Sequence, residues 1–370
     1  MRDRNPSMAS NQTGLGVLMM PDYRADNPYQ QLLSTALERE GAVVQFPKGY
    51  RRVFPLFRAI KDEPKETRVL HLHWIDQYIK GENWFVKLVY GLKFLLDILI
   101  VRSSSYAVVW TIHNTVSHNA KFPRLELWIQ RRLIQLVDGV IVHSQAALAE
   151  VANTYRTDLS KAAVIPHGHY RDVYPPAVSV KAARDRLNLP QDKQIFLTFG
   201  MLRPYKGIEN LLQVWQSQQA PDRILLISGK AHSAEYETRL VHQASEVANV
   251  MLQTHFIPES QLPLYFSAAD AVLLPFEKIL TSGSLILAMS YGKSVIAPRL
   301  DNLAETLAGA DDLLYDFENS QGLSNAIKSA TTDRLAAVEP QIVAACDRLN
   351  WQPIAEKTFK LYTSTVDHVV

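Results

Sequence analysis

The sequence alternates short apolar runs with longer amphipathic stretches, and this alternation constrains the fold more than any other feature. In the first half the apolar runs cover residues 16–20, 42–46, 69–73, 107–112, 139–143 and 163–166. Segments with helical periodicity lie between them, including 29–40, 84–101, 124–137 and 145–154. Short strands that are apolar on both faces and separated by helices indicate a parallel sheet covered on each side. The pattern predicts a doubly wound α/β fold.

The alternation restarts after residues 174–180, a segment that contains Pro175 and Pro176 and is typical of a linker. Predicted strands follow at 195–199, 224–228, 250–255, 271–274 and 294–297, with helices at 207–216, 234–248, 261–268, 284–291 and 323–330. We therefore predict two doubly wound domains, residues 1–175 and 176–350. A last helix within residues 351–370 could pack back on the first domain.

Composition excludes several classes of protein. Of 370 residues, 47% are hydrophobic and 21% charged, and the formal net charge of +2 gives no overall attraction for nucleic acid. The single cysteine, Cys346, rules out an internal disulfide framework and a Cys-rich zinc site. Residues 1–12 lack an apolar signal core, and no uninterrupted run of about 18 apolar residues could span a membrane. We expect a cytoplasmic protein with no nucleic-acid partner.

The segment 199–207, FGMLRPYKG, follows a predicted strand and opens a helix. Gly200 and Gly207 permit close backbone approach, and Arg203 and Lys206 place two cations beside the helix N-terminus. Backbone amides, the helix dipole and two cations together suit a diphosphate. An ordinary loop with two solvated bases is the alternative, and the residues alone leave both open.

A second loop, residues 276–284, also follows a strand and precedes a helix. Thr281, Ser282 and Ser284 are good capping residues, and Gly283 lets a ligand approach the backbone. Hydroxyls and free amides here could hold a second face of the same diphosphate, although helix capping alone would also explain them. Two such loops at equivalent ends of neighbouring strands favour a shared ligand.

Polar and aromatic residues close two strands of the first half. His71, His73 and Trp74 end one strand, and His113 and Asn114 follow the next. A His at such a strand end can donate to a sugar hydroxyl or accept a proton from an attacking alcohol. His71 and His73 share one face of their strand, but no convincing third ligand stands nearby in sequence, so we predict no metal site. The alternative for either histidine is a structural role.

Two segments have the composition of a membrane-facing surface. Residues 51–58, RRVFPLFR, interleave bases with large apolar side chains. Residues 84–101 are almost all apolar, interrupted by Lys87, Lys93 and Asp97. Such surfaces can lie in the headgroup layer without spanning the membrane. A buried helix is the alternative for the second segment. Peripheral contact with the inner face of the membrane would follow from the first interpretation.

Taken together, these pieces resemble the GT-B glycosyltransferases of family 4. The resemblance covers nearly the whole chain and is strongest over residues 199–305. It rests on the Gly200 loop, ADAVLLP at 269–275 and AMSYGKSVIA at 288–297, and DGVIVHS at 138–144 also fits. The resemblance implies two Rossmann-like domains that face each other across a cleft for a nucleotide-sugar.

The resemblance also implies roles for individual residues. Arg203 and Lys206 would bind the donor diphosphate and His113 would lie near the donor sugar, which makes these three the candidate catalytic residues. Glu305 falls where the family often has a glutamate after a Gly-rich turn. The candidate donor-binding residues are Gly200, Arg203, Lys206, Thr281, Ser282, Gly283, Ser284 and Glu305. The candidate acceptor-binding residues are His73, Trp74 and Asn114.

The sequence departs from the family pattern in two places. Met201 stands where the family usually has an arginine, and Arg203 would substitute for it. The family's pair of glutamates, separated by seven residues, would fall at Ile279 and Leu287, neither of which can hydrogen-bond a sugar. Residues 281–284 could take over phosphate binding. The departures leave donor identity and anomeric outcome open.

We therefore expect transfer of a hexose from a nucleotide-diphosphate donor, such as a UDP- or GDP-hexose, to a hydroxyl of a glycan or lipid-linked acceptor. Arginine and lysine would stabilise the departing diphosphate, so no metal or other cofactor is expected. A nucleotide-sugar epimerase on the same architecture is one alternative, but it would need acidic catalysts that form no obvious pair here. A non-catalytic sugar-nucleotide-binding or scaffold protein is the other.

Overall fold

The computed structural model describes residues 14–49, 52–64, 66–115, 121–218 and 220–369. These residues form two six-stranded sheets in which every strand pair is parallel. The first sheet has the order β2-β1-β3-β4-β5-β6 and contains β1 (Leu15–Met20), β2 (Ala42–Gln45), β3 (Thr67–Leu72), β4 (Ala107–Thr111), β5 (Gly139–Val142) and β6 (Ala162–Val164). The second has the order β12-β11-β10-β7-β8-β9 and contains β7 (Gln194–Phe199), β8 (Arg223–Ser228), β9 (Val250–Gln253), β10 (Ala271–Leu273), β11 (Val295–Pro298) and β12 (Leu314–Tyr315).

Helices cover the sheets. Those up to the end of the first sheet are α1 (Tyr29–Arg39), α2 (Pro55–Lys61), α3 (Trp84–Ser103), α4 (Pro123–Leu136) and α5 (Gln145–Tyr155). The rest are α6 (Val180–Arg186), α7 (Ile208–Gln218), α8 (Ala234–Ser245), α9 (Leu262–Ala268), α10 (Gly283–Ser290), α11 (Asp301–Thr306), α12 (Gly322–Ser329), α13 (Thr332–Asp347) and α14 (Trp351–Val369). The doubly wound α/β prediction is confirmed.

The first sheet is buried on both faces because its strands are apolar at successive positions. Leu18, Leu70 and Val108 belong to one core cluster with helices α2 to α5. Val17 and Val69, one residue earlier, pack on the opposite face with α1 and α14. Alternating side chains of one strand therefore enter two different cores, as expected for a parallel sheet between helical layers.

The chain crosses between the two sheets twice, and the crossings meet at Gly168. The backbone N–H of His169 donates to Leu349 O at 3.0 Å, and Trp351 Nε1 donates to His169 O at 2.7 Å. Trp351 begins α14, which packs on α1 and on the first sheet. A Cβ on Gly168 would overlap the Trp351 indole, so glycine lets the two crossings touch.

Helix α3 is buried on one face only. Its inner face packs Phe94, Ile98 and Val101 in the core, while Phe85 and Leu92 on its outer face are exposed. The buried-helix interpretation of residues 84–101 holds for the inner face, and the membrane-facing interpretation of the exposed outer face stays a prediction. Of residues 51–58, Arg51 lies outside the described residues, and 55–58 begin α2. Among the helices of the described ranges, none is long and apolar enough to cross a membrane.

Replacing Gly168 with alanine should destabilise the protein. The new methyl group would meet the rigid face of Trp351, and overpacking of this kind costs about 1–3 kcal/mol. Equilibrium urea unfolding measures the change. Combining Gly168→Ala with Trp351→Leu removes the clash, so the cost of the alanine should largely vanish in the double variant. Strict additivity of the two single changes would contradict this packing.

Candidate active site

A cavity of about 570 Å³ lies between the two sheets and is lined from both. Most candidate residues meet there. From the second sheet it is lined by Arg203, Lys206, Thr281, Ser282, Gly283 and Ser284. From the first sheet it is lined by Asp26, Asn27, Pro28, Trp74 and Asn114. We call this space the donor cavity. Its position beyond the carboxyl ends of parallel strands is the usual ligand site of such folds.

The glycines of the 199–207 loop are required by its backbone. Gly200 has a φ of 87° directly after β7, and Gly207 has a φ of 67° at the start of α7. A Cβ on Gly207 would also overlap the Pro275 carbonyl oxygen. A Cβ on Gly200 would lie 3.1 Å from Lys206 Nζ and 3.7 Å from Ser284 Oγ. The two loops singled out in the sequence therefore approach each other at Gly200.

Lys206 lies where the two loops approach each other, and it is 6% exposed. Its Nζ donates to the Phe199 carbonyl oxygen at 3.0 Å. Burial, with a smaller contribution from the Arg203 cation, lowers the pKa of Lys206 to about 8. A bound diphosphate would raise this pKa again, since a nearby anion favours the charged form. The site is therefore set up so that an anion and the lysine cation stabilise each other.

The N-terminus of α10 supplies the other half of the loop pair. Ser282 is its N-cap, and its Oγ accepts from Leu285 N at 3.0 Å. The amides of the first turn have no intrahelical acceptor and carry the positive end of the helix dipole. The capping interpretation is correct for Ser282, and it leaves the amides of Gly283 and Ser284 available to an anion. Ile279 and Leu287, at the family's glutamate positions, also line the donor cavity.

Glu305 lies elsewhere. It lines a second cavity of about 220 Å³ on the far side of Thr281 and Ser282. Its carboxylate crosses the domain interface and accepts from the N–H groups of Gln145 at 2.7 Å and Ala146 at 3.0 Å. These amides open α5, so Glu305 caps a helix of the first domain. Its role in donor binding stays a prediction.

Beneath Trp74, three histidines form a hydrogen-bonded row. His143 Nδ1 is 2.9 Å from Ile165 O, which can only accept, so His143 carries its proton there. His143 Nε2 lies 3.3 Å from His113 Nδ1, and His113 Nε2 lies 3.3 Å from His73 Nδ1. For neutral rings the proton positions then follow in order, with His113 donating to His143 and His73 donating to His113. His73 Nε2 is left as a buried acceptor with no partner among the described residues.

Burial keeps these rings neutral. It lowers the pKa of His143 to about 4 and that of His113 and His73 well below the usual value. His71 is also buried, between Tyr362 Oη at 2.6 Å and Thr111 Oγ1 at 2.7 Å. No three His, Cys, Asp or Glu side chains of the described ranges are placed to hold one metal ion.

This row changes how His113 can act. Both of its ring nitrogens are paired with histidines, and Trp74 stacks on its face with centroids 4.3 Å apart and planes at 13°. His113 thus supports Trp74 and does not line the donor cavity in this structure. Its predicted catalytic role, and the acceptor roles of His73, Trp74 and Asn114, stay predictions.

Sequence reasoning missed His143 and Tyr29 as parts of this site. His143 follows β5 as His113 follows β4, so its place after a strand was the available signal. Tyr29 opens α1, and its ring contacts His113 at 5.1 Å and His167 at 4.7 Å between centroids. No local pattern distinguishes Tyr29 from an ordinary core residue.

Two family models match the chain. Glycosyltransferase Family 4 matches residues 45–172, and Glycosyl transferases group 1 matches residues 179–342. The chain is a family 4-like glycosyltransferase with the GT-B fold. The matches favour the transferase over the epimerase and scaffold alternatives.

Curated relatives have the same class of activity in their names. A GDP-mannose:glycolipid 4-beta-D-mannosyltransferase of Xanthomonas campestris pv. campestris is 25% identical over 297 residues, covering 80% of this chain and 79% of the relative. A D-inositol 3-phosphate glycosyltransferase of Thermobispora bispora is 21% identical over 359 residues, covering 92% of this chain and 79% of the relative. The activity of this chain is glycosyl transfer from a nucleotide-sugar.

Solved structures show the same fold. Anabaena HepE in complex with UDP-glucose superposes with a TM-score of 0.73 at 18% identity, covering 94% of this chain and 99% of that one. Sucrose-phosphate synthase from Thermosynechococcus elongatus gives 0.71 at 19% identity, covering 94% and 98%. At such identities the likeness shows the fold alone, and the donor-binding roles of individual residues stay predictions.

The lowered pKa of Lys206 predicts how affinity for a nucleoside diphosphate depends on pH. Below about pH 8 the lysine is already protonated; above it, binding must take up a proton, so the Kd should rise by up to about tenfold per pH unit. Titration calorimetry with GDP or UDP at pH 7 to 9, in buffers of different ionisation enthalpy, measures the Kd and the number of protons taken up on binding. Lys206→Met should bind more weakly and lose the pH dependence. The same slope in both proteins would contradict the assignment.

Proposed function

We propose that this glycosyltransferase moves a hexosyl group from a UDP- or GDP-hexose to a hydroxyl group of a lipid-linked acceptor at a membrane surface, in glycolipid or polysaccharide synthesis. The observation that carries the proposal is the donor cavity, where two cations and a helix N-terminus face the other domain. The side of the cavity formed there by Trp74 and Asn114 is called the Trp74 wall. GDP-mannose is the first donor to test, because a relative covering most of the chain is named for GDP-mannose and a glycolipid.

We propose further that the departing diphosphate is stabilised without a bound metal ion. Arg203 and Lys206 line the donor cavity on the side of the α10 N-terminus. The charge that develops on the leaving oxygen would be met by two cations and by the first amides of α10. Lys206 is held by its hydrogen bond to the Phe199 carbonyl oxygen and the α10 N-terminus by the Ser282 cap, so little reorganisation of these groups opposes their effect.

Turnover and binding separate these proposals. With GDP-mannose, UDP-glucose or the matching diphosphates, a thermal-shift screen should show one selective stabilisation that survives EDTA. A ligand at 100 times its Kd stabilises the protein by about 2.7 kcal/mol.

Arg203→Ala combined with Lys206→Ala should lower the rate of transfer by at least about 100-fold, as for removal of other charge-stabilising groups. Unchanged transfer in the double variant would contradict this use of the two cations.

The outer face of α3 supports the membrane part of the proposal. Five of its exposed apolar residues recur every three or four positions, so they form one stripe along the helix. Phe85, at one end, is 68% exposed. The stripe consists of Phe85, Val89, Leu92, Leu96 and Leu99. A contiguous exposed apolar surface of this kind marks an interaction site.

Basic residues lie near the stripe on the neighbouring helix α4. Trp128 on α4 is exposed, and Arg124 and Arg132 lie one turn to either side of it. Helix α4 packs against α3 at Gly91 and Ile129, so the two exposed faces are neighbours. Apolar side chains flanked by arginines suit an anionic lipid surface.

Helix α3 also packs against the segment that follows Trp74, on the proposed acceptor side of the cleft. Trp74 is followed closely by a 3-10 helix, Asp76–Tyr78. The Tyr78 ring stacks on Phe94 of α3 with centroids 5.2 Å apart. A lipid surface held by the stripe would therefore lie next to the elements that carry the Trp74 wall, where a lipid-linked acceptor is needed.

Vesicle binding tests the stripe. The wild-type protein should sediment with vesicles rich in anionic lipid. Leu92→Asp combined with Leu96→Asp should lower the affinity for these vesicles by at least about tenfold. Val241→Asp combined with Val343→Asp makes the same chemical change at exposed valines of the second domain and should bind like wild type. If both pairs bind equally, the stripe is not the lipid-facing surface. Transfer to a soluble acceptor should survive in both.

A further inference from the structure

The 276–284 loop runs along the boundary between two hydrophobic cores. Ile279 belongs to the core cluster of the second domain. The next residue, Leu280, is 5% exposed and belongs instead to the cluster that the first-domain strands form with helices α2 to α5. Among the described residues, every other member of that cluster comes before residue 165. Leu280 is therefore a second-domain side chain that completes the core of the first domain.

Asn302 ties this part of the loop to helix α11. Its Nδ2 donates to the carbonyl oxygens of Ile279 and Leu280, the latter at 2.7 Å. Its Oδ1 accepts from Leu303 N at 3.0 Å, so both ends of the buried amide are paired. Helix α11 also carries Glu305. Leu280 and the Glu305 carboxylate are therefore held together in one unit.

The Glu305 end of this unit lies on helix α5 of the first domain. Its carboxylate accepts from the N–H groups of Gln145 and Ala146, and Ser144 Oγ accepts from Ala147 N at 2.9 Å. The two side chains together satisfy the three amides that open α5. One of these two caps comes from the other domain.

The loop makes a second polar contact with the same helix. Lys278 Nζ lies 3.5 Å from Glu150 Oε1, one turn further along α5 than Ala146. The Lys278 side chain is 74% exposed, so this ion pair adds orientation and little stability. Leu280 and Glu305 carry the docking of the loop on the first domain.

The docked segment leads directly into the residues proposed to hold the diphosphate. Only Thr281 separates Leu280 from Ser282, the N-cap of α10. Thr281 and Ser282 line the donor cavity on one side and the cavity of Glu305 on the other. A shift of Leu280 out of the first-domain core would therefore move the first amides of α10.

We propose that Leu280 and Glu305 are positioning residues for glycosyl transfer, because their docking on the first domain holds residues 281–284 in the geometry that binds the diphosphate. The inference rests on the proposed function. The diphosphate contacts would lie on the second domain, yet the site would be complete only when the loop is docked on the first. Docking and binding of a nucleoside diphosphate then favour each other, since coupling between two sites is reciprocal.

A direct contact between Glu305 and the donor would have different consequences. Leu280 has no polar side-chain atom to offer a ligand, so a direct role of Glu305 predicts weaker binding in Glu305→Ala and none in Leu280→Ala. Docking predicts weaker binding in both variants. We expect each to raise the Kd for GDP or UDP by about fivefold or more, the lower end of the usual range for coupled sites.

Two control variants accompany this calorimetric measurement. Leu280→Met keeps an apolar side chain of similar volume and should bind within about threefold of wild type. Glu318→Ala removes an exposed second-domain carboxylate between β12 and α12 and should also bind like wild type.

Hydrogen exchange in peptides covering residues 143–150 gives a readout that a purely local role of the loop would not move. In Leu280→Ala the amides at the start of α5 should exchange faster than in wild type. Saturating GDP or UDP should slow them again, although the ligand binds on the other domain. Wild-type exchange at α5 in Leu280→Ala, or an unchanged Kd in that variant, would overturn the inference. Failure of the wild type to bind either diphosphate would instead refute the proposed donor, so the two failures are distinguishable.

Discussion

Lys206 occupies the point where the Gly200 turn meets the start of α10, and the proposed donor site depends on that contact. An ammonium group with 6% exposure is costly to keep charged, and burial lowers the pKa of Lys206 for this reason. The hydrogen bond to the Phe199 carbonyl offsets only part of this cost, and the Arg203 cation adds to it. A diphosphate relieves it directly. In the proposed function, binding energy would therefore be concentrated where the leaving group's charge develops, which is the condition for catalysis by electrostatic stabilisation.

The opposite wall is built on a different principle. Trp74 rests on His113, which is fixed by His143 and His73 in a row of neutral rings anchored at the Ile165 carbonyl. Each ring's proton position is set by its neighbour, so the row has one arrangement while its members stay neutral. A polar network of this kind holds Trp74 rigidly without burying a charge beneath it. The first domain thus contributes shape to a cavity whose cations come from the second.

Most strands and the anion loop could be predicted from the sequence because local residue patterns determine them. The strand predicted at 195–199 is observed as Gln194–Phe199, and the glycines and cations that follow it are local signals of an anion loop. Short helices such as α6 and α11 were missed because six or seven residues show too little periodicity. Helix α13 was missed as well, since Pro340 in its interior is read as a break.

The rest of the site could not be predicted, because it depends on contacts between distant parts of the chain. Glu305 caps α5 across 160 residues of sequence, and Tyr362 reaches His71 across 291. The pairing of both His113 nitrogens depends on three strand ends meeting at one edge. That pairing is why a histidine that the sequence places in the cleft is found beneath Trp74 instead. Local patterns locate the site, and tertiary contacts decide which atoms face the ligand.

The most direct test is a crystal structure of the protein with its nucleoside diphosphate. We predict that the phosphates lie within hydrogen-bonding distance of Lys206, Arg203 and the first amides of α10. A diphosphate held instead in the Glu305 cavity, or away from the Gly200 turn, would contradict it.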